Sequence, residues 1–152
     1  MKIFLSKLNE EITEGQMDFS DWNAELDNIR KTIPLHFKDD ENLKPQQVLS
    51  KLSELAPKDA IITTEVGQHQ MWTAQFYKFS TPECLITSGG LGTMGYGLPA
   101  AIGASVANPD RMVINVAGDG SFQMNMAEIA TALEQGLKLK LMLFNNSSLS
   151  LV

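Results

Sequence analysis

The sequence predicts an α/β fold, in which a doubly wound parallel sheet carries helices on both faces of a single domain. From residue 45 onward, short apolar runs of strand length alternate with stretches of helical periodicity, and the connections between them are short. The apolar content of 43% over 152 residues is enough for one core of ordinary domain size. In such a sheet, ligands bind in the crevice at the carboxyl ends of the strands.

The N-terminal part, residues 1–42, is predicted to be a linker with a covering helix. An amphipathic stretch from Asp21 to Ile33 supplies that helix, and Ser20 is the predicted N-cap. Residues 43–152 are predicted to form the sheet domain.

The sheet domain begins with a helix at Pro45, because apolar residues recur at helical spacing through Leu55 and proline suits a first turn. Four apolar runs then predict strands at Ala60–Thr63, Leu85–Thr87, Met112–Ala117 and Leu139–Phe144. Helical patterns between them cover Gln68–Tyr77, Leu98–Ala107 and Met126–Gln135. Asn125 and Glu128 have the spacing of a capping box at the start of the last helix.

Composition excludes several classes of function. A net charge of -6 and a pI near 4.8 argue against a nucleic-acid or anionic-membrane surface, which needs concentrated positive charge. The opening apolar run is too short for a signal peptide or a membrane span, so a cytoplasmic location is predicted. Cys84 is the only cysteine, which excludes an intrachain disulfide and predicts a small core residue.

Polar pairs follow the last two predicted strands. Gly118-Asp119-Gly120 closes one strand and an Asn-Asn pair ending at Asn146 closes the next, with the length of a strand, helix and strand between them. A right-handed crossover brings both pairs to one edge of the sheet. Carboxylate and amide oxygens suit Mg²⁺, which commonly shares its coordination shell with a substrate phosphate. The two glycines are expected to let phosphate approach the backbone, and Ser121 to add a hydroxyl and an amide as donors.

Each pair alone is ordinary turn chemistry, but the two pairs at this spacing are specific. Together they resemble the cofactor motif of thiamine-diphosphate enzymes, which begins Gly-Asp-Gly and ends Asn-Asn. The resemblance implies that Asp119 and Asn146 bind magnesium through their side chains and Ser148 through its main-chain carbonyl.

Two upstream segments narrow the resemblance to the acetolactate synthase catalytic subunit: TEVGQHQMW at residues 64–72 and TSGGLGTMGYGLPAAIGA at residues 87–104. The diphosphate-binding residues implied there are Val66, Gly67, Gln68 and His69. Gly92 and Met94 are implied to contact the cofactor rings, with Met94 wedged between them. No catalytic residue is expected in the chain, because the family's activating glutamate comes from another domain and Glu65 does not replace it.

The resemblance also implies a larger enzyme. Acetolactate synthase is a transferase that condenses pyruvate with pyruvate or 2-oxobutyrate in branched-chain amino-acid biosynthesis. Its expected partners are the pyrimidine-binding domain of a partner subunit, a regulatory small subunit and further copies in a homo-oligomer. The chain is expected to be truncated at its C-terminal end, inactive alone, and without the FAD that a middle domain of the parent carries. Ser150 stands where the family usually has glycine, and strain is expected there.

Three alternatives remain. Gly90 to Gly95 fits the dinucleotide motif G-x-G-x-x-G, although the acid expected about 20 residues later, Asp110, lies in a predicted turn. Because of this motif, a nonenzymatic nucleotide-binding module is one alternative function. The others are a pyruvate-using thiamine-diphosphate oxidase and a decarboxylase.

Overall fold

The computed structural model describes residues 1–12, 18–38 and 40–151. Residues 13–17 and 39 of the predicted linker, and residue 152 of the predicted domain, lie outside the described residues. The chain forms two compact units, Met1–His36 and Phe37–Val152. The domain boundary predicted after residue 42 stays a prediction.

Among its described residues, the first unit contains two helices, α1 at Lys2–Glu11 and α2 at Ser20–Thr32, and neither contains a buried residue. Helix α1 was not predicted, whereas α2 lies close to the predicted stretch. The predicted cap is wrong: Ser20 is the first residue of α2, and its backbone N–H donates to Asp18 Oδ1 at 2.8 Å. The aspartate, two residues earlier, therefore holds the start of this helix.

The second unit alternates helices and strands along the chain. In order, they are α3 Pro45–Leu55, β1 Ile61–Thr64, α4 Gln68–Phe76, β2 Leu85–Ile86, α5 Gly97–Ala107, β3 Val113–Gly118, α6 Asp119–Gln123, α7 Ile129–Glu134 and β4 Lys140–Phe144. The four strands form one parallel sheet in the order β2-β1-β3-β4. Because β1 and β3 are neighbours while β2 and α5 lie between them in the chain, the strand order reverses at this point.

Helices cover both faces of the sheet, which confirms the predicted fold class. On one face Ile62, Ile114 and Val116 pack with Leu49 of α3 and Trp72 of α4. On the other face, a second apolar cluster joins the sheet to α5, and its buried members are Ile61, Ala101, Ala104 and Val113. The residues of β1 are buried throughout because the strand has neighbours on both sides and helices on both faces.

The segment after β3 differs from the prediction. The short helix α6 was not predicted, and the last predicted helix is divided into a 3₁₀ turn at Met126–Glu128 and α7. The predicted capping box is also wrong: Asn125 Nδ2 donates to the carbonyl of Gly95 at 2.6 Å, and Glu128 accepts from Thr131 Oγ1 at 2.8 Å. The Asn125 side chain thus bonds to a residue 30 positions away in the sequence instead of capping the helix that follows it.

Candidate functional site

A cavity of about 390 Å³ lies where β1, β3 and β4 end, at the point where the strand order reverses. It is lined by ten of the residues predicted for the site: Val66, Gly67, Gln68, His69, Gly118, Asp119, Gly120, Ser121, Asn146 and Ser148. Gly92 and Met94 do not line this cavity. The parallel topology therefore brings the predicted diphosphate and metal residues together, while the predicted ring contacts lie on a separate segment.

The rest of the cavity wall is largely apolar and was not predicted. Its members include Leu43, Pro45, Val48, Trp72, Phe144 and Leu149. Pro45 and Val48 belong to α3, whose periodicity predicted a core helix and gave no indication of a ligand site. The wall forms only because α3 packs beside α4 on the same face of the sheet.

The oxygen donors in the cavity fit a magnesium ion bound together with a phosphate ligand. Asp119 is the first residue of α6, and within the described residues its carboxylate accepts no hydrogen bond and forms no ion pair. Asn146 Oδ1 accepts from the N–H of Ser148 at 3.1 Å, which leaves one lone pair of this oxygen available. In the described ranges no three His, Cys, Asp or Glu side chains could hold a metal together. A metal there needs amide, main-chain and ligand oxygens in addition to one carboxylate, as Mg²⁺ commonly does.

Asn146 also connects two segments at the carboxyl edge of the sheet. Its Nδ2 donates to Gln68 Oε1 at 3.0 Å, so the segment after β4 is linked to the first residue of α4. This hydrogen bond orients the Asn146 side chain, and with it the oxygen that the sequence assigns to magnesium.

The imidazole of His69 is packed between two glycines. A β-carbon added to Gly67 or to Gly118 would lie 2.7 Å from a ring atom of His69. A β-carbon on Gly120 would lie 2.9 Å from Leu149 Cδ1. The space that the missing side chains of Gly118 and Gly120 leave is thus next to His69 and Leu149. The expectation that these glycines let phosphate approach the backbone stays a prediction.

Burial sets the protonation of His69. The residue is 5% exposed, and burial lowers the pKa of its imidazole below the usual value, against the opposing effects of the Glu65 backbone and of the charges of Glu65 and Asp119. Nε2 is buried and has no hydrogen-bond partner among the described residues. The structure thus favours a neutral ring with one unsatisfied nitrogen in the wall of the cavity.

The side chain of Ser121 is already used within the protein. Its hydroxyl donates to Glu65 Oε2 at 2.6 Å and accepts from the N–H of Gly95 at 3.0 Å. A hydroxyl has a single proton, so the expectation that this group donates to phosphate is wrong and only the Ser121 amide remains for that role. Glu65, fully buried, is a residue of this region whose structural role the sequence did not reveal. Its position directly after a buried strand was the only signal.

The segment that carries Gly92 and Met94 runs beside the cavity. Gly92 and Gly95 have φ angles of 63° and 80°, a conformation that favours glycine. A β-carbon on Gly92 would lie 3.9 Å from Val66 Cγ1, and the N–H of Thr93 donates to Ser88 Oγ at 2.9 Å. Gly92 therefore adjoins the cavity at Val66.

The expected strain at Ser150 is not found there. Among the described non-glycine residues, positive φ angles occur at Ser147 (56°) and Leu151 (87°). Ser150 instead forms a hydroxyl-to-hydroxyl hydrogen bond with Ser148 at 2.7 Å. The residues with positive φ angles thus lie before and after Ser150, the position at which the resemblance implies a glycine.

Comparison with known proteins decides the family. Residues 65–152 match the family described as thiamine pyrophosphate enzyme, C-terminal TPP binding domain. The chain belongs to this thiamine pyrophosphate enzyme family. Over 140 residues, or 91% of the chain, it is 51% identical to acetolactate synthase 3, chloroplastic, of Brassica napus and 45% identical to an acetolactate synthase of Mycobacterium bovis. It covers 22% and 23% of the length of these two relatives.

Solved structures of thiamine pyrophosphate enzymes support the same family. A thiamine diphosphate-dependent 4-hydroxybenzoylformate decarboxylase of Rhodococcus jostii RHA1 superposes on 74% of the chain with a TM-score of 0.65 and 28% identity, and the chain covers 21% of it. A second thiamin diphosphate-dependent enzyme, described as putative, from Mycobacterium smegmatis gives a TM-score of 0.63 at 27% identity; 70% of the chain and 21% of that enzyme are covered.

The cellular location is not decided by these comparisons. Within the described ranges, every helix is too short or too polar to cross a lipid bilayer. The Brassica napus relative is named as chloroplastic. The cytoplasmic location predicted from the sequence therefore stays a prediction.

Proposed function

We propose that this thiamine pyrophosphate enzyme domain binds the diphosphate of thiamine diphosphate through Mg²⁺, as the cofactor-binding part of an acetolactate synthase. The main support for the proposal is that Asp119 and Asn146, from the ends of two neighbouring strands, meet the first turn of α4 in one cavity. The chain's identity of 45–51% to acetolactate synthases supports the enzyme class.

In this proposal, three oxygen donors hold the metal: the side chains of Asp119 and Asn146 and the main-chain carbonyl of Ser148. The chain carries a net charge of -6, so a divalent cation is needed to offset repulsion of the diphosphate. The N–H groups at the start of the nine-residue helix α4, at Gln68 and His69, line the same cavity and add donors for an anion. The unsatisfied Nε2 of His69 is a further polar group for the ligand.

When bound, thiamine diphosphate supplies the chemistry that joins two 2-oxo acids. The residues of this chain would anchor it, with Gly92 and Met94 as the predicted contacts to its rings. We propose pyruvate and 2-oxobutyrate as substrates of the parent enzyme, and a pyrimidine-binding domain of a partner subunit as the other half of the cofactor site. Both carboxylate oxygens of Glu65 accept hydrogen bonds inside the protein, which argues against Glu65 as the activating acid.

A thiamine-diphosphate decarboxylase is the second candidate, because the Rhodococcus jostii structure that superposes on the chain is such an enzyme. The identity of 28% to that protein is well below the 51% to the Brassica napus acetolactate synthase. Acetolactate synthase therefore remains the proposal that the comparisons favour.

The proposal is tested by titrating thiamine diphosphate into the chain with Mg²⁺ and, separately, with a chelator. We expect weak binding, in the high micromolar to millimolar range or about 4 to 6 kcal/mol, because half of the site is expected on another domain. NMR shifts should centre on the backbone amides of Gly118 to Ser121 and should require Mg²⁺. Equal shifts with the chelator, or a stronger response to NAD at Gly90 to Gly95, would favour a nucleotide-binding module instead.

A further inference from the structure

One buried carboxylate connects three segments of the second unit. Glu65 follows β1 and is 0% exposed. Its Oε1 accepts from the N–H of Leu98 at 2.9 Å, and its Oε2 accepts from Ser121 Oγ at 2.6 Å. The Ser121 hydroxyl in turn accepts from the N–H of Gly95 at 3.0 Å. Glu65 thus holds the end of β1, the segment before α5 and the start of α6 to one another.

No basic side chain of the described residues forms an ion pair with Glu65. A buried carboxylate is costly unless hydrogen bonds and dipoles compensate for its lost hydration. Leu98 lies in the first turn of the eleven-residue helix α5, whose N-cap residue, Tyr96, supplies no side-chain hydrogen bond. Glu65 therefore caps α5 from another strand, and the helix dipole favours its negative charge.

We propose that Glu65 is a positioning residue that keeps the segment of Gly92 and Met94 in register with the segment of Asp119 to Ser121. The inference rests on the proposed function, in which the first segment contacts the cofactor rings and the second holds the diphosphate. One cofactor molecule must reach both segments, so an error in their relative position weakens its binding although each contact remains. Glu65 does not touch the cofactor in this account.

Other hydrogen bonds keep the segment before α5 folded without Glu65. Asn125 Nδ2 donates to the carbonyl of Gly95 at 2.6 Å. The hydroxyl proton of Thr63 is shared between the carbonyl of Gly97 and Asn115 Oδ1, each 3.1 Å from Oγ1. Replacement of Glu65 should therefore change the alignment of the two segments more than the fold.

The test compares two ligands in Glu65→Gln, each with Mg²⁺. Thiamine diphosphate spans both segments, whereas inorganic diphosphate uses the diphosphate and metal residues of the cavity and does not need the segment of Gly92 and Met94. We expect the Kd of thiamine diphosphate to rise about tenfold, the size of one lost hydrogen bond to a charged group, and that of inorganic diphosphate to change less than about twofold. Ser121→Ala should weaken thiamine diphosphate similarly, and the double variant should show little further loss, because both changes break one connection.

The matched control is Ser53→Ala, which removes a buried hydroxyl that accepts from the N–H of Lys78 at 2.9 Å, outside this network. It should leave both affinities unchanged although it costs stability. A general loss of stability in Glu65→Gln would weaken both ligands alike, and that result would contradict the positioning role.

Two further outcomes separate the inference from the function on which it rests. If the unmodified chain binds both ligands and Glu65→Gln binds them equally well, the positioning role of Glu65 is wrong and the proposed function stands. If the unmodified chain binds neither ligand, the proposed function fails and the inference fails with it.

If Glu65→Gln does not fold, hydrogen exchange in the unmodified chain is the test. Inorganic diphosphate with Mg²⁺ should protect the amides of Gly95 and Leu98 from exchange, and unchanged exchange would overturn the inference.

Discussion

At the scale of single residues, His69 shows how packing determines protonation. Its ring fills the space that Gly67 and Gly118 leave, and burial there lowers the pKa of the imidazole. The neutral form is favoured in the folded chain, so protonation of His69 is coupled to unfolding.

This coupling predicts a stability that falls in mild acid. In the unfolded chain the histidine takes up a proton near its usual pKa of 6.5, whereas folded His69 does so only at lower pH. The unfolded state therefore binds more protons in this window, and the free energy of unfolding should decrease as the pH falls from about 7.5 to about 5. Urea unfolding at several pH values measures this free energy.

Two variants test whether His69 causes the decrease in the free energy of unfolding. His69→Gln should lose most of this decrease, whereas His36→Gln, which changes an exposed histidine, should keep it. An unchanged decrease in His69→Gln would contradict the coupling.

Sequence spacing can bring residues to one site only where the strand order determines their positions. Asp119 and Asn146 follow neighbouring parallel strands, so topology alone places them at one cavity. The roles of Ser121 and Asn125 were mispredicted because their partners, Glu65 and Gly95, are 56 and 30 residues away. Local sequence does not indicate which distant group a short polar side chain will reach.

At the scale of elements, the start of α5 is packed directly against β1. A β-carbon on Gly97 would lie 2.6 Å from the backbone nitrogen of Glu65 and 2.6 Å from the carbonyl carbon of Thr64. The contacting atoms belong to the backbone of a buried strand, which cannot move aside as a flexible side chain could. Only glycine allows this approach of helix to strand.

Gly97→Ala should therefore destabilise the chain by about 3 kcal/mol, at the upper end of the usual cost of overpacking, because the backbone that it meets is fixed. Gly103→Ala is the matched control: it lies in the same helix, and an added β-carbon meets nothing within 4 Å. That variant should be stabilised by about 0.5 to 1 kcal/mol through its helix propensity. Chemical denaturation of both variants gives the comparison, and a Gly97→Ala protein as stable as Gly103→Ala would refute the close packing.

Strands and long helices were predicted to within about a residue or two at most ends, because buried β-branched runs and helical periodicity are strong signals. Helix α6, with five residues, is too short to show a period. Helix α7 was predicted too long, because the hydrogen bond of Asn125 to Gly95 favours a 3₁₀ turn where a helical start was expected.

At the scale of the whole molecule, the sheet ends at β4 with an exposed edge and an apolar surface. Leu141 and Leu143 of β4 are partly exposed, at 39% and 48%. Exposed strand edges and contiguous apolar surface favour association with another chain.

We therefore expect the chain to self-associate at high concentration, as measured by light scattering. Leu143→Lys should weaken the association, because it places a charge on this surface. Val106→Lys, at the exposed end of α5, changes a comparably exposed apolar residue and should have little effect. A clean monomer at high concentration would contradict the expectation.

We propose that Asp119 supplies the one charged ligand of a magnesium ion that holds a diphosphate, and Asp119→Asn is the variant that removes this charge. The measurement is calorimetric titration of thiamine diphosphate with and without Mg²⁺, with Asp110→Asn as the control of equal charge change in the turn after α5. We expect that the unmodified chain and Asp110→Asn bind thiamine diphosphate only with Mg²⁺. In Asp119→Asn, this dependence should be lost and the affinity should fall at least about tenfold. Binding by Asp119→Asn that stays as tight and as dependent on Mg²⁺ as in the unmodified chain would contradict it.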